Sequence, residues 1–574
     1  MKTPSPSVKT PVKTPVKIPA TDLHKPTADE LLFLPLGGAG EIGMNLNLYG
    51  HDGKWLMIDL GVTFGGDETP SIEVIMPDPA FITERVQDLA GLVLTHAHED
   101  HIGAVPYLWP KLRCPMYATP FTASVLRRKL KEAGLEGKAK ITEIPMSGKF
   151  KIGPFELELI TLTHSIPEPN AVVLRTKLGT VLHTGDWKLD PDPVIGETTD
   201  EQALRRLGDG NVLAMVCDST NVFVKGTSGS EADILPSMTK LIGARKGRVA
   251  VGCFASNVAR LDTITRAAMA NDRQVALVGR SLWRMTEAAR ENGYLTDLPE
   301  FIEEHDVGFF PKEKIVMICT GSQGEARAAL ARIAKGEHPH VHLEAGDAVI
   351  FSSRIIPGNE KSISLLQNNL IHSDVEVITD HDEMIHVSGH PARDELTEMY
   401  QWVRPQIAIP VHGEARHIRE HADLARACQV PQAVEAANGA IIRLAPGPAE
   451  IIARVTNGRL GLDGKTLVQM TSEVVRHRHR LGFNGVILIS LVMNRRGDLI
   501  TDPQVTLEGL LDGDPEADAK EDIADAVADA VESLSAGKLE NDGEVAECAR
   551  LAARRWFSKT HDKKPITRVH VIRV

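Results

Sequence analysis

No two cysteines in the sequence form a Cys-x-x-Cys pair: Cys114, Cys217, Cys253, Cys319, Cys428 and Cys548 lie far apart, several of them inside apolar runs. That scatter disfavours both a disulfide framework and a thiolate metal site, and points to reduced, buried thiols in a cytoplasmic setting. No stretch approaches the roughly 20 consecutive apolar residues of a membrane span, so no membrane partner is expected. An excess of positive charge is missing as well. The formal net charge of -13 argues weakly against a polyanionic partner but leaves room for a local basic groove. Much of the acidity lies between Glu508 and Glu547, so the remainder of the chain is more balanced. The first residues lack the apolar core of a secretory leader. They also lack acidic groups before Asp22, and the Lys-Thr-Pro-Val repeats between Lys9 and Lys17 predict a disordered basic arm over residues 1–28, either a solvated tail or a contact for a polyanion.

What is present is a globular composition, 42% apolar and 25% charged over 574 residues, enough for about three or four domains. The organising stretch is Leu92-Val-Leu-Thr-His-Ala-His-Glu-Asp-His101. An apolar run with the length of a buried strand ends in four ligand-type side chains within six positions, and a helical pattern follows from Ile102. In extended backbone, residues two apart point the same way. His96 and His98 therefore serve one metal ion, while Asp100 and His101 turn toward a second.

Three further predicted strands end in ligand-type residues: 155–162 before His164, 180–183 before Gly185-Asp186, and 406–410 before His412. Singly, each is compatible with a lone structural residue. Together they supply the roughly seven ligands that a two-metal site at one sheet edge requires. Asp59, at the end of a strand over 55–60, is either a carboxylate orienting a ligating histidine or an ordinary turn residue. The glycine-rich turn Gly37-Gly-Ala-Gly-Glu-Ile-Gly43 permits close approach to a ligand or a neighbouring strand. Between Asp186 and His412 the chain is too long for a loop. It carries its own strand, polar turn and helix units at Ala255-Ser-Asn257 and Gly321-Ser-Gln-Gly-Glu325, each an ordinary helix cap or an anion-binding turn.

In order and context, His96-x-His98-x-Asp100-His101, His164, Asp186 and His412 resemble the metallo-β-lactamase superfamily. The resemblance implies an α/β fold, an αββα sandwich, with two zinc ions per chain. One is held by His96, His98 and His164, the other by Asp100, His101 and His412. Asp186 bridges them and positions the nucleophile, and Asp59 matches a supporting aspartate of the first family motif. The inserted segment resembles the β-CASP domain of the nucleic-acid-processing branch, with motifs at Asp218, His390 and His412. Gly321-Ser-Gln-Gly-Glu325, Ile356-Pro-Gly-Asn359 and His386-Val-Ser-Gly-His390 are together similar to bacterial ribonuclease J.

By that resemblance the turn Phe254, Ala255, Ser256, Asn257 and the segment His386, Val387, Ser388, Gly389, His390 grip RNA phosphates. His390 stabilises the scissile phosphate or protonates the leaving 3′ oxygen, and Asp218 orients His390 or His412. The C-terminal residues 481–574 resemble that family's ββααβ domain. The expected division is residues 1–28 arm, 29–220 and 379–456 metallo-β-lactamase domain, 221–378 inserted β-CASP domain, 457–480 linker and 481–574 C-terminal domain. A basic cluster at Arg476 to Arg480 falls in the linker, as a solvated turn or an RNA contact. The implied activity is hydrolysis of single-stranded RNA, 5′-monophosphorylated at its end, by a 5′-to-3′ exonuclease with endonuclease activity, in mRNA decay and rRNA maturation. Zinc is the expected cofactor, with Mn2+ or Mg2+ as further candidates for the working ion, and a homo-dimer or tetramer the expected assembly. Rival readings are a thioester or lactam hydrolase, which needs no inserted domain, a DNA-directed β-CASP nuclease, and an RNA-binding scaffold that has lost its metals.

Overall fold

A computed structural model describes residues 25–66 and 68–574, so the expected arm lies almost wholly outside the described residues. The chain divides into two compact units, one of residues up to Thr63 with Met76–Gly458, the other of Phe64–Ile75 with Arg459–Val574.

The first unit is built on two facing sheets. One has eight strands, running in space from Glu450–Arg454 through Ala440–Ala445, Leu31–Gly37, Leu46–His51, Lys54–Ile58, Leu89–Val93 and Met116–Ala118 to Ile141–Glu143. The other has seven: Lys149–Ile152, Phe155–Thr161, Asn170–Thr176, Gly179–His183, Val212–Asp218, Ile407–Val411 and Gln432–Ala433. The period of two along the strands builds this sandwich. Val172 and Leu174, Val181, Ala214 and Val216, and Ile407 and Ile409 point inward, where they meet Phe33, Leu56, Ile58 and Val93 of the facing sheet. Their alternates Val173, Leu182, Met215, Cys217 and Ala408 point outward, onto Leu204, Leu396, Met399, Tyr400 and Leu424. Those residues come from the helices Glu201–Asp209, Arg393–Val403 and Ala415–Ala427. On the outside of the eight-stranded sheet, the helix Pro120–Glu132 packs along Met116–Ala118 and Ile141–Glu143. The result is the expected αββα sandwich. Strands buried on both faces read as near-continuous apolar runs, which is why their alternation is hard to see in the sequence.

The inserted segment forms its own six-stranded sheet, with the order Ile302–Glu303, Gln274–Val278, Ile315–Cys319, Val249–Gly252, Ala348–Phe351 and Glu376–Ile378, parallel throughout. A buried ion pair anchors it. Arg260 is fully buried, with Nη2 2.9 Å from Oε1 of the equally enclosed Glu231. Its remaining donors reach the Ser352 carbonyl and hydroxyl, both at 2.8 Å, and the Ile385 carbonyl at 3.1 Å. Removing one partner of such a pair strands a charge in a low-dielectric interior. Glu231→Ala is therefore expected to destabilise the protein by about 3–5 kcal/mol, measured as a lower urea midpoint.

In the second unit, Val486–Met493 pairs antiparallel with Gln504–Glu508 and parallel with Ile566–Arg573. The helices Asp514–Glu532 and Asp542–His561 cover one face. Ile487, Ile489, Leu491 and Met493 alternate into the core and meet Ile523, Val527 and Val531 together with Val545, Ala549, Ala553 and Phe557, at helical spacings of four. This is the expected ββααβ arrangement.

The expected linker over 457–480 is not one. It contains a hairpin of Arg459–Asp463 with Thr466–Gln469 and most of the helix Glu473–Asn484, whose Ser472 side chain caps the Val475 N–H. The local signal is Asp463-Gly464-Lys465 between alternating apolar residues: Asp463 pairs with Thr466, so Gly464 and Lys465 form the two-residue hairpin loop, with Gly464 at φ 59°. The basic cluster lies on this helix rather than in a turn, and Arg478 is committed to Asp463 at 2.5 Å. No helix among the described residues is long and apolar enough to cross a membrane.

Candidate metal centre

The ends of parallel strands assemble the site. Lys54–Ile58 runs parallel to Leu89–Val93, so Asp59 and the segment beginning at Thr95 leave the eight-stranded sheet side by side. In the facing sheet Gly179–His183, Val212–Asp218 and Ile407–Val411 are consecutive parallel neighbours. Their ends deliver Asp186, Asp218 and His412 to one edge. Asp59 and His412 both adopt left-handed backbone, φ 63° and 52°, which turns each side chain back into the site at a local conformational cost. Gly61 permits the close crossing beneath it: a Cβ there would stand 1.6 Å from the Asp100 carbonyl oxygen.

The expected ligands fall into two overlapping groups, His96, His98, His164 and Asp186, and Asp100, His101, Asp186 and His412, with ligand atoms within 4.8 Å of one another in each. Asp186 Oδ2 is common to both, 3.1 Å from His101 Nε2, 3.5 Å from His412 Nε2, 3.9 Å from His96 Nε2 and 4.0 Å from His164 Nε2. A third group joins Asp186 and His412 to Asp218 and His390.

Whether these rings suit metal ions is decided by the other nitrogen of each ring. His101 Nδ1 donates to Asp59 Oδ2 at 2.7 Å, and His164 Nδ1 donates to the Gly389 carbonyl. The Thr95 hydroxyl donates to Asp59 at 2.9 Å and so accepts from His96 Nδ1 at 3.0 Å. His412 Nδ1 meets the Asn45 carboxamide at 3.0 and 3.2 Å. In His96, His101 and His164 the bond from Nδ1 to an oxygen turns Nε2 toward the centre. His98 offers Nδ1 instead, 3.1 Å from His96 Nε2 and 3.0 Å from His164 Nε2. Three lone pairs converging without a proton between them suit a cation.

Electrostatics agree. Burial first, and then the neighbouring rings, hold His96 and His164 well below the ordinary histidine range, and burial takes His98 to about 4. All three are neutral and ready to coordinate at pH 7. Burial alone would raise the Asp186 carboxyl, but His101 and His412 outweigh it and hold the group well below the carboxylate range. Three carboxylates, Asp59, Asp100 and Asp186, surround His101. That buried negative charge calls for bound cations.

The remaining expected site residues divide. His390 Nδ1 donates to Asp218 Oδ2 at 2.8 Å and lies 3.9 Å from Asp186. Of the two partners left open for Asp218, its carboxylate takes His390. Asp59 is an orienting carboxylate rather than a turn residue, since it also accepts the Thr95 N–H at 2.8 Å. Asn257 is turned inward: its side chain caps the helix Val258–Met269 and donates to Glu231. That leaves the half-buried Phe254, Ala255 and Ser256 to present the turn. Val387 is buried at 5% exposure, and the Gly389 carbonyl is taken by His164. In that motif only His386, Ser388 and His390 keep polar side chains at the surface of the site, with Ser388 Oγ accepting from Asn221 at 2.7 Å. The glycine-rich turn serves a neighbouring strand end, its Gly38 carbonyl receiving the His412 N–H.

Asn45, Thr95, Asn221 and Arg354 escape the sequence reading. Arg354 is exposed and reaches Asn221 Oδ1 at 3.4 Å, beside His386 and His390. Its loop is fastened by Gln323, whose carboxamide accepts from Ile356 N–H and donates to the Arg354 carbonyl, both at 2.9 Å. Thr95 adjoins His96, and Asn45 ends the glycine-rich turn; proximity to a motif is the only local signal either carries.

A sandwich with parallel strand ends bearing this His/Asp constellation, and a parallel α/β insertion before its last ligand, defines a metallo-β-lactamase superfamily protein of the β-CASP type. The model of the metallo-beta-lactamase superfamily matches residues 43–205, and the Ribonuclease J beta-CASP domain matches residues 246–370. The Zn-dependent metallo-hydrolase RNA specificity domain matches 374–435, and the Ribonuclease J C-terminal domain 473–574. Ribonuclease J of Sinorhizobium meliloti is 45% identical over 95% of this chain and 98% of its own, and that of Mycolicibacterium smegmatis is 38% identical over 94% and 96%. The chain belongs to the ribonuclease J family. A solved structure of an Enterococcus faecalis protein of unknown function, 15% identical with a TM-score of 0.51, covers 72% of this chain and 100% of its own, and shares the fold.

Proposed function

We propose that this protein is a two-metal ribonuclease, with zinc as the resident ion, that cleaves single-stranded RNA from a 5′-monophosphorylated end in the 5′-to-3′ direction. Endonucleolytic cleavage is its second mode, and mRNA decay and rRNA maturation in the cytoplasm are its setting. The observation that carries the reading is the single Asp186 oxygen shared by two histidine groups, with the His390–Asp218 pair 3.9 Å away.

Bound divalent ions supply Lewis acidity at the phosphoryl group and acidify water. His96, His98 and His164 would hold one, Asp100, His101 and His412 the other, and Asp186 would serve both. The chain's own groups do the rest. Asp59, Thr95, Asn45 and the Gly389 carbonyl fix ring orientation, so the ligands need no reorganisation when the diester arrives. His390, held by Asp218, carries the proton that the leaving 3′ oxygen requires. Arg354 and Ser388, on the same side as His390, are placed to meet phosphate oxygens.

The reading is tested with 3′- and 5′-labelled single-stranded RNA bearing a 5′-monophosphate or a 5′-triphosphate, alongside metal analysis. About two ions per chain and early mononucleotide release from the monophosphorylated strand are expected. Internal fragments regardless of the 5′ end would make it chiefly an endonuclease. Cleavage of the matched DNA strand alone would favour the DNA-directed reading, and metal content near zero the scaffold.

A further inference from the structure

Four aromatic rings among the described residues have a guanidinium over them. Phe81, Trp402 and Phe301 are buried at 8% exposure or less, whereas Phe223 is 49% exposed. Arg416, itself largely exposed, stands 5.8 Å above the Phe223 ring; its Nε donates to Glu414 Oε2 at 3.0 Å, which leaves the two Nη groups for a ligand. Phe309 and Phe483 are more exposed still, but neither carries such a cation.

Position sets Phe223 apart. Two residues earlier, Asn221 donates to Ser388 Oγ and to the His390 carbonyl at 3.0 Å, so the loop starts at the catalytic histidine segment. On its other side the ring lies edge-on to His417 at 5.2 Å. His417 packs against Gly413, where an added Cβ would stand 2.8 Å from its own Cβ, and Gly413 directly follows His412. Phe223 is thus connected to His390 through Asn221, two residues earlier, and to His412 through His417 and Gly413.

Two further features suit a ligand. His417 is 6% exposed and its Nδ1 has no hydrogen-bond partner, an uncommon state for a buried polar atom; the Glu414 carboxylate stands 3.9 Å from it. The loop also sits on helix starts, which favour anions. The Val224 carbonyl accepts the first N–H of the helix Arg393–Val403, and Arg416 and His417 lie in the first turn of the helix Ala415–Ala427. Lys225 adds an exposed cation.

We infer that Phe223 and Arg416 form a stacking platform on which one nucleobase of the single-stranded RNA rests outside the metal centre, its adjoining phosphate facing Arg416. The inference rests on the ribonuclease reading. Stacking is tolerant of sequence because every base has a π-face, so the platform lengthens the grip on the strand without reading it.

The test compares steady-state cleavage of a 5′-monophosphorylated single-stranded RNA with hydrolysis of bis(p-nitrophenyl) phosphate, which has no neighbouring nucleotide or second phosphate to lay on the platform. Full-length wild type, Phe223→Ala, Phe223→Trp and Arg416→Ala are used. Phe223→Ala is expected to raise KM for RNA about tenfold, within the range that one base–aromatic stack contributes, with little change in kcat. Its preference for RNA over the small diester falls by the same factor. Phe223→Trp restores KM, and Arg416→Ala raises it. An unchanged KM in Phe223→Ala overturns the platform alone. So does a Phe223→Trp variant no better than Phe223→Ala, or a parallel loss on both substrates, which would mark the loop as structural. Wild type that leaves RNA uncut would overturn the ribonuclease reading, and the platform with it.

Discussion

Asp186→Asn is expected to lower RNA hydrolysis by about 10³-fold or more, the upper end of what removing one preorganised electrostatic group costs. The substitution keeps size and shape, so the fold should persist; what changes is the charge at one point. Asp186 Oδ2 is the atom on which His101 and His412 converge at 3.1 and 3.5 Å, with His96, His164 and His390 within 4.0 Å. An amide there withdraws the negative charge that two cations would share. Metal content measured on the purified variant should drop along with activity. A variant with wild-type unfolding behaviour and retained RNA cleavage would remove the shared-carboxylate arrangement from consideration.

The second large effect is expected at His390. Its replacement by alanine should reduce kcat by about 10²- to 10³-fold, a typical contribution from general acid catalysis, while leaving metal content unchanged, because none of the expected ligands is lost. The pH profile separates a proton donor from a merely structural histidine. Burial pushes the His390 ring toward neutrality, but Asp218, and after it Asp186 and Asp100, carry it up to about 9. The protonated form required of an acid therefore persists below that pH, and kcat should fall as pH rises through it. In Asp218→Asn the main opposing charge is gone and burial dominates, so the alkaline limb should move to lower pH by about one unit or more. An alkaline limb at the same pH in both proteins would assign the proton to another group.

The division between what is local and what is not runs through individual residues. His96, His98, Asp100 and His101 declare themselves because four ligand types crowd into six positions at a strand end, and extended geometry already sorts them toward two ions. The C-terminal helices are legible for the same reason, their buried residues recurring every fourth position from Ile523 to Val531 and from Val545 to Phe557. The 457–480 segment carries local signals as well, its Gly464-Lys465 hairpin loop and the Ser472 cap, but an alternation this short among so many polar residues reads as readily as a linker.

Other features have no local trace. His164 and Gly389, 225 positions apart, meet through a backbone carbonyl that every residue possesses. His412 and Asn45, 367 positions apart, meet through a carboxamide that nothing in the sequence distinguishes from other asparagines. Asn257 looks like a ligand-facing turn residue until the buried Glu231 and Arg260 turn it inward. By itself the sequence determined which side chains can coordinate and which strand ends carry them, since ligand chemistry and strand periodicity belong to single residues and their neighbours. Only the tertiary structure decided which ring nitrogen faces the centre, which groups orient it, and that Phe223 lies exposed between Arg416 and His417. Those depend on hydrogen bonds and packing between distant segments, which exist only once the two sheets and the insertion have closed on one another.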